Sequence, residues 1–574
     1  MAPTTRRRIW WVVGVFIFYE VARLLVAGIA GYISFTNIRD LTGEALQQTK
    51  QVAGHRLSTA GVSGNVAHVA LSDPLFDWIK SLPHLGADLK VTDLALETVG
   101  NVAPQVNKLI HNVPDHQVLA SVRPESINAQ QLYTAVGHLR GAVRKANHEF
   151  AGMKLNTLDF GLGAKVAKAK PVLRLLAVHN DGLQKLLTAA LVIAKSGDTA
   201  PAYWFIANQN LAEARGTGGL IGSYAVVLVN KGRVTLTSSG SDRELNGLGA
   251  VDNSSLPLDT GTIWQDDPSI WQDLNPSANS PFAAQQIADT WIKYKHQHID
   301  GVVFAGQGMA QYLAAAFGPV QVDGVTLDGS NAADFLAKGI YSKYPDVADK
   351  NRMVQKIMKA LMEAAQEKKP NLGQLFSAIS KPRTGDQLNI WSSDKTQQAW
   401  NSRHGLAGDV TRAFTQDVTL AINNGGGNKL EAYLHTDADY QICAASGISH
   451  FSVKLANVAP RMGLPEYVIG RYDLAPGTRY MVGSNLENVT IYLPIGAEIT
   501  SVLVDGNSFG AGLYADSGHQ ILTFNIDINP GKQHTIDVEW TPRKNSKRVQ
   551  TGNVLTRPMF NPPRIRYLNE GCLK

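Results

Sequence analysis

The apolar run IWWVVGVFIFYEVARLLVAGIA from Ile9 to Ala30 follows Arg6, Arg7 and Arg8, and it constrains this chain more than any other stretch. At about 1.5 Å per helical residue it is long enough to cross a hydrocarbon core of roughly 30 Å. Positive charge is retained on the cytoplasmic side, so the pattern predicts a basic cytoplasmic tail over 1–8, a transmembrane helix over 9–35 and an extracytoplasmic bulk. The expectation is a single-pass protein of the cell membrane. A cleaved signal peptide is the rival reading, but its apolar region usually spans about 7 to 15 residues. Glu20 and Arg23 interrupt the run, where a lone charge costs about 2.5–3.5 kcal/mol. Their i, i+3 spacing puts them on one helical face, paired with each other or with a partner protein in the membrane.

The remaining length exceeds what one core can serve, so several domains are expected from the 574 residues. Mixed three and four spacing of apolar residues, punctuated by prolines, predicts a helical stalk over 36–200. From Pro201 the pattern changes. Short runs at Tyr203 to Ala207 and Leu220 to Asn230, then alternation at Arg233 to Ser238, read as strands. A helix from Phe282, a strand from Gly301 to Ala305 and further helices from Met309, Ala332 and Lys350 follow, which predicts an α/β head over 201–410. Beyond Thr411 the period is two: Phe451, Val453, Leu455, then Phe524, Ile526, Ile528, then Ile536, Val538, Trp540. That predicts an all-β sandwich over 411–545 and a C-terminal tail over 546–574.

A net charge of +6 over this length marks no nucleic-acid partner, and no zinc-finger or RNA-binding signature accompanies it. Cys443 and Cys572 are the only cysteines, an even number in one region, and a disulfide between them is expected if their Cα atoms come within about 7 Å. Trp264 and Trp271 beside Asp266, Asp267 and Asp273 suit either sugar stacking or packed aromatics between solvated acids.

No P-loop, HExxH, GxSxG or Rossmann fingerprint is present. The segment NQNLAEARGTGGLIGSY from Asn208 to Tyr224 is the strongest lead. Glycine amides and the Arg215 guanidinium at a strand's end would make an anion cradle. The plainer reading is that the glycines allow a tight crossover while Arg215 pairs with Glu213 or Asp242.

AEARGTGGLIGSYAVV, HIDGVVFAGQGMAQYLAAAFGPVQVDGVTLDG and NNGGGNKLEAYL together resemble an uncharacterised family of membrane-anchored bacterial proteins frequent in actinobacteria. That family is in turn similar to the LytR-CpsA-Psr phosphotransferases, which move glycopolymers from polyprenyl-pyrophosphate carriers to peptidoglycan. On that resemblance the matching positions are Asn210, then Arg215 before Gly216 and Thr217, then Ser241 before Asp242, and further on Gly318-Pro319-Val320, the helix from Ala332 to Lys338, and Asp346 six residues before Arg352.

The resemblance implies an α/β head of that fold at the outer leaflet, holding a phosphorylated lipid or glycan carrier through Asn210, Arg215, Lys338, Lys343 and Arg352. Asp242 or Asp346 would serve as base or metal ligand, with Mg²⁺ as the cofactor. Two of the three acids expected around that ion are replaced here, so glycopolymer transfer and binding without chemistry both stay open. The other reading is a non-catalytic structural or assembly protein of an envelope complex.

Overall fold

The computed structural model describes residues 50–72, 80, 85–112, 141, 145, 189, 192–193, 196–231, 233–252, 263, 269–367, 388–410, 417–443, 447–542 and 552–568. Among them no helix is long and apolar enough to cross a membrane. The expected architecture and the single-pass localisation are corrected accordingly: no described element carries an anchor. Residues 9–35, with Glu20 and Arg23, lie outside the described residues.

The chain divides into two compact units. In the first, α1 (Lys50–Leu71) and α2 (Leu85–Asn112) pack side by side. Their contacts run in opposite sense, with Gly61 against Pro104, Asn65 against Gly100 and His68 against Asp93, so the pair is antiparallel. Small residues set the separation. A Cβ on Gly64 would stand 2.9 Å from the Leu96 carbonyl oxygen and 3.0 Å from the Gly100 amide nitrogen, so a larger residue there would force the helices apart.

The second unit holds a head and a sandwich. The head begins with β1 (Ala202–Arg215), β2 (Gly218–Asn230) and β3 (Arg233–Ser241), then α3 (Asp242–Asn246) and α4 (Ser280–Lys295). β4 (Gly301–Ala305), α5 (Gly308–Phe317), the hairpin β5 (Val320–Val322) and β6 (Val325–Leu327), α6 (Val347–Glu367), β7 (Leu388–Ser392) and α7 (Lys395–Arg403) complete it. The sheet order is β3-β2-β1-β4-β7. β1 and β4 run parallel and the remaining neighbours antiparallel.

Alternation along the strands buries both faces. Phe205, Ala207 and Val226 pack with Trp271 and with Ile287 and Trp291 of α4, while Trp204, Val227, Val229, Val303 and Ile390 pack on the other face with Ala189 and Val192. A third core joins α5, β5, β6 and α6 through Phe317, Leu327, Met353, Ile357 and Leu361.

Period-two strands give the sandwich. One sheet has the order β13-β12-β16-β10-β9-β18 and the other β14-β15-β11-β8-β17. In chain order these are β8 (Val418–Asn424), β9 (Leu434–Ile442), β10 (Ser449–Asn457), β11 (Asn485–Tyr492), β12 (Ala497–Val504), β13 (Asn507–Ser508), β14 (Gly512–Asp516), β15 (His519–Ile528), β16 (Gln533–Pro542), β17 (Val554–Thr556) and β18 (Arg564–Tyr567). Phe451, Val453, Leu455, Phe524, Ile526, Ile528, Ile536, Val538 and Trp540 interdigitate between the sheets.

The segment expected as a tail supplies β17 and β18, each parallel to its neighbour, so the sandwich takes in part of 546–574. Its alternation is too short to show in sequence. Two bidentate pairs, Arg564 with Asp437 and Arg566 with Asp439, fix β18 against β9. Cys443, just past β9, is disulfide-bonded. The chain's only other cysteine is Cys572, which lies outside the described residues.

Candidate functional site

β1 runs past its bulges toward the sandwich, and its far end is locked there by charge. Arg215 Nη2 donates to Asp273 Oδ1 at 2.8 Å and to Glu213 Oε1 at 3.1 Å, while Nη1 donates to the carbonyls of Ala214 and Asn424. Arg215 is only 5% exposed. Burial pushes the Glu213 carboxyl up, but Lys429 and then Arg215 outweigh it and hold the group below its ordinary range. Lys429, from the NNGGGNK loop, pairs with the other oxygen of Glu213.

The glycines beside this network are there for space. A Cβ on Gly216 would fall 1.9 Å from the Pro276 carbonyl, and the Gly216 amide donates to Asn423 Oδ1 of β8. The predicted cradle is therefore a weld between head and sandwich, close to the plainer sequence reading, with Asp273 as the second acid.

The open site lies at the carboxyl ends of the two parallel strands, where α/β sheets commonly bind ligands. Asn208, Gln209 and Asn210 of β1, Gly222 and Ser223 of β2, and Gly306 and Gln307 after β4 form one side. Tyr341, Lys350, Asn351, Val354 and Met358 form the other. The pocket offers about 90 Å³ to the centres of water-sized groups. One such centre needs about 10–15 Å³, so several ligand atoms fit.

Polar bonds fix one wall. Gln307 carries no cap bond for α5; its Oε1 accepts from the Leu211 amide at 2.8 Å and its Nε2 donates to Asn210 Oδ1 at 2.7 Å. Asn210 Nδ2 donates in turn to the Tyr341 hydroxyl at 2.9 Å. Burial, only partly offset by Asn210, raises the Tyr341 pKa well above the phenol range, so this hydroxyl stays protonated. The first turn of α5 borders the pocket through Met309 and Ala310, whose amides donate to the Gly306 and Gln307 carbonyls.

Among the described residues, Lys350 is the single charged one lining the pocket. Burial, and next the like charge of Lys429, lower its pKa from 10.5 to about 8. Asp242 opens α3 next to its cap Ser241, and burial raises its carboxyl despite the Arg243 amide, Lys350 and Lys429. It stands within electrostatic reach of Lys350 without lining the pocket.

Of the residues singled out in the sequence, Asn210 lines the pocket and Asp242 lies near it; the others are elsewhere. Arg215 is in the weld. Asp346 is exposed and caps α6, accepting from the amides of Ala348 and Asp349 at 2.9 and 3.0 Å. Both bonds fall on Oδ1, so the carboxylate serves the helix start, and Asp346 does not line the pocket. Arg352 is exposed on the outer face of α6, paired with Asp349. Lys338 lies over the rings of Tyr433 and Phe560, 5.0 and 5.4 Å from their centroids, and Lys343 is exposed at the end of a helical turn.

Trp271, with 1% exposure, is core rather than a stacking platform, and Asp273 serves Arg215. Trp264, Asp266 and Asp267 lie outside the described residues.

Lys350 was missed although a signal existed. Lys350, Val354, Ile357, Met358 and Leu361 follow the apolar stripe of α6, so a lysine stands in a core-facing position, whereas Arg352 falls among the polar residues Gln355, Lys356 and Lys359. Magnesium does not fit this donor set. The lining contains no carboxylate, Glu213 is engaged, and among the described residues no three His, Cys, Asp or Glu side chains group as metal ligands.

Residues 200–341 match the model of a family described as "Protein of unknown function (DUF4012)". No curated protein and no solved structure matches. The match takes in Asn208, Asn210, Gln307 and Tyr341 but ends before α6 and Lys350.

Proposed function

We propose that the head is a binding domain for an anionic group, of the kind a phosphorylated or otherwise acidic glycan carries, held at the carboxyl ends of β1 and β4. One observation carries this. The described lining of the pocket holds one half-buried lysine and no acid; Asp242 and Glu213 act on that lysine only from outside the lining, and burial outweighs them, so its charge is disfavoured until an anion enters. Amides of Asn208 and Asn351, with the Ser223 hydroxyl, would supply hydrogen bonds to the oxygens of such a group or to sugar hydroxyls. Of the polar and charged positions that carry the resemblance to the LytR-CpsA-Psr phosphotransferases only Asn210 lines the pocket, so the support for a phosphorylated glycan as the ligand class comes from that position and from Lys350. Binding, rather than transfer, is the activity that these side chains sustain.

Calorimetry with inorganic pyrophosphate and with a sugar 1-phosphate tests the proposal. Lys350→Ala should weaken binding by about 1.5–3 kcal/mol, the range for a hydrogen bond to a charged group. Lys350→Arg should restore part of it. Wild-type protein that binds neither probe, or Lys350→Ala protein that binds both unchanged, overturns the reading.

A non-catalytic assembly protein is the second reading, and one feature favours it. The excursion between β10 and β11 exposes Val458, Met462, Tyr472, Met481 and Val482, apolar side chains suited to a protein partner. Substituting Met462 and Tyr472 with serine would then abolish association while leaving anion binding intact.

A further inference from the structure

The NNGGGNKLE segment has a second chemistry that neither the weld nor the pocket uses. Asn424 ends β8, Asn428 and Glu431 follow in the glycine loop, and Asn485 and Glu487 begin β11. All five side chains are buried, with Glu487 and Asn428 at 0% and Glu431 at 5% exposure. Asn424 Nδ2 faces three oxygens at once: Glu431 Oε1 at 2.5 Å, Asn428 Oδ1 at 2.8 Å and Asn485 Oδ1 at 3.1 Å. An amide nitrogen has two hydrogens, so acceptors outnumber donors there.

Neighbouring bonds turn the oxygens inward. Asn428 Nδ2 donates away from the cluster to the Ser484 carbonyl, and Asn485 Nδ2 donates to Glu487 Oε1, which leaves both amide oxygens facing Asn424. Asn424 Oδ1, Glu431 Oε2 and Glu487 Oε2 are buried without a hydrogen-bond partner among the described residues. Backbone amides of Glu431 and Ala214 favour the charged form of Glu431, yet Oε2 stays unpartnered.

The cations nearby are committed elsewhere: Lys429 and Arg215 to Glu213, Arg471 to Asp473 and Asp527. Two like charges in a dry space with a surplus of oxygen acceptors need either protons or a positive ion.

We propose that Asn424, Asn428, Glu431, Asn485 and Glu487 form a buried site for one divalent cation of calcium's size and hardness. With the Asn424 amide turned over so that Oδ1 takes the place of Nδ2, the donors are all oxygen, which excludes a site built for soft metals, and two carboxylates match a double positive charge. Calcium takes roughly six to eight oxygens in irregular geometry, which two carboxylates and three amides can supply, whereas magnesium keeps several waters and a near-ideal octahedron. Bound there, the ion ties the glycine loop to β11, directly behind the Lys429–Glu213 pair that joins sandwich to head. Burial raises the carboxyls of both Glu431 and Glu487 above their ordinary range.

The test uses the full chain stripped with EDTA and titrated with calcium chloride by calorimetry, with metal analysis of the dialysed product. One saturable calcium per chain and a Tm that rises with calcium are expected, with magnesium chloride a weaker competitor. Glu431→Gln and Glu487→Gln should each weaken calcium by about 100-fold or more, since even outer-shell changes cost about 10–100-fold. Asp349→Asn, on the exposed face of α6, should leave it unchanged. If the stripped wild type takes up no calcium at millimolar concentration and its Tm does not move, the two carboxyls hold protons and the site is refuted. That measurement on the wild type decides even if a variant fails to fold. Calcium uptake that survives both glutamine variants refutes the residue assignment.

Discussion

Arg215 at the end of β1 and Lys350 in the first turn of α6 are both cations in the second unit, and their surroundings are opposite. Arg215 has Glu213 and Asp273 as partners and almost no surface. Lys350 lines an open pocket without a carboxylate, and its charge is disfavoured. A charge that the protein compensates by direct pairing supports the fold; a charge whose acids, Asp242 and Glu213, stand outside the pocket it lines is available to a ligand. The distinction rests on the partners, so neither residue type nor sequence spacing reveals it.

The largest effect expected from breaking this contrast is at Arg215. Arg215→Ala leaves Glu213 with Lys429 alone and strands Asp273, and loss of one partner of a buried pair costs about 3–5 kcal/mol. Denaturant unfolding should show that loss, while pyrophosphate binding below the transition stays within about twofold of wild type, because Arg215 does not line the pocket. A variant of normal stability that no longer binds anions would move Arg215 from the weld to the site.

Lys350 should behave in the opposite way, with a smaller change in stability and of reversed sign. Its folded pKa of about 8 lies below the ordinary 10.5, so between these values the unfolded chain holds more protons and wild-type stability rises with pH. The cost of the buried charge is fully present below about pH 8. Lys350→Met keeps the stem and removes the charge, so it should be more stable than wild type at pH 7, with the difference vanishing as pH passes 10.5. Anion binding by the wild type should fade as pH climbs through about 8, where the ammonium is lost. Destabilisation of Lys350→Met at pH 7 would make this lysine a second Arg215.

What the sequence showed depended on period and on distance. The alternation Phe451, Val453, Leu455 gave β10 directly, and the apolar run Gly301 to Ala305 gave β4, because side-chain direction along a strand is a local property. β18 escaped notice. Its residues Arg564 and Arg566 carry exposed charges whose partners, Asp437 and Asp439, lie far away in the chain. The site failed for the same reason. Asn210 was legible only through the resemblance, and the companions of Arg215 come from Asp273 and from the Asn424 carbonyl, which only the folded chain brings near. The transmembrane reading rested on the length of the run from Ile9 to Ala30 and the arginines before it; that segment lies outside the described residues, and no described helix is long and apolar enough to cross a membrane.

The two smallest effects separate the faces of α6. Asp346 accepts two backbone amides at the start of the helix, so Asp346→Ala should cost about 1 kcal/mol of stability, the usual worth of such a cap, with Asp346→Asn nearly neutral. Because the cap positions the turn that holds Lys350, anion affinity should fall only modestly. Arg352, two residues beyond Lys350, points the other way. It is exposed and pairs with Asp349 on the helix surface, an arrangement that contributes about 0–0.5 kcal/mol. Arg352→Ala should therefore leave both melting and pyrophosphate affinity at wild-type values, even though the spacing from Asp346 had marked it as a phosphate ligand. A hundred degrees of helix rotation per residue is the whole argument, for it puts position 352 on the opposite side of α6 from positions 350, 354 and 358. If Arg352→Ala weakens anion binding as strongly as Lys350→Ala does, the ligand reaches around the outer face of α6, and the contrast between a directly paired cation and one whose acids stand outside its pocket no longer locates the site.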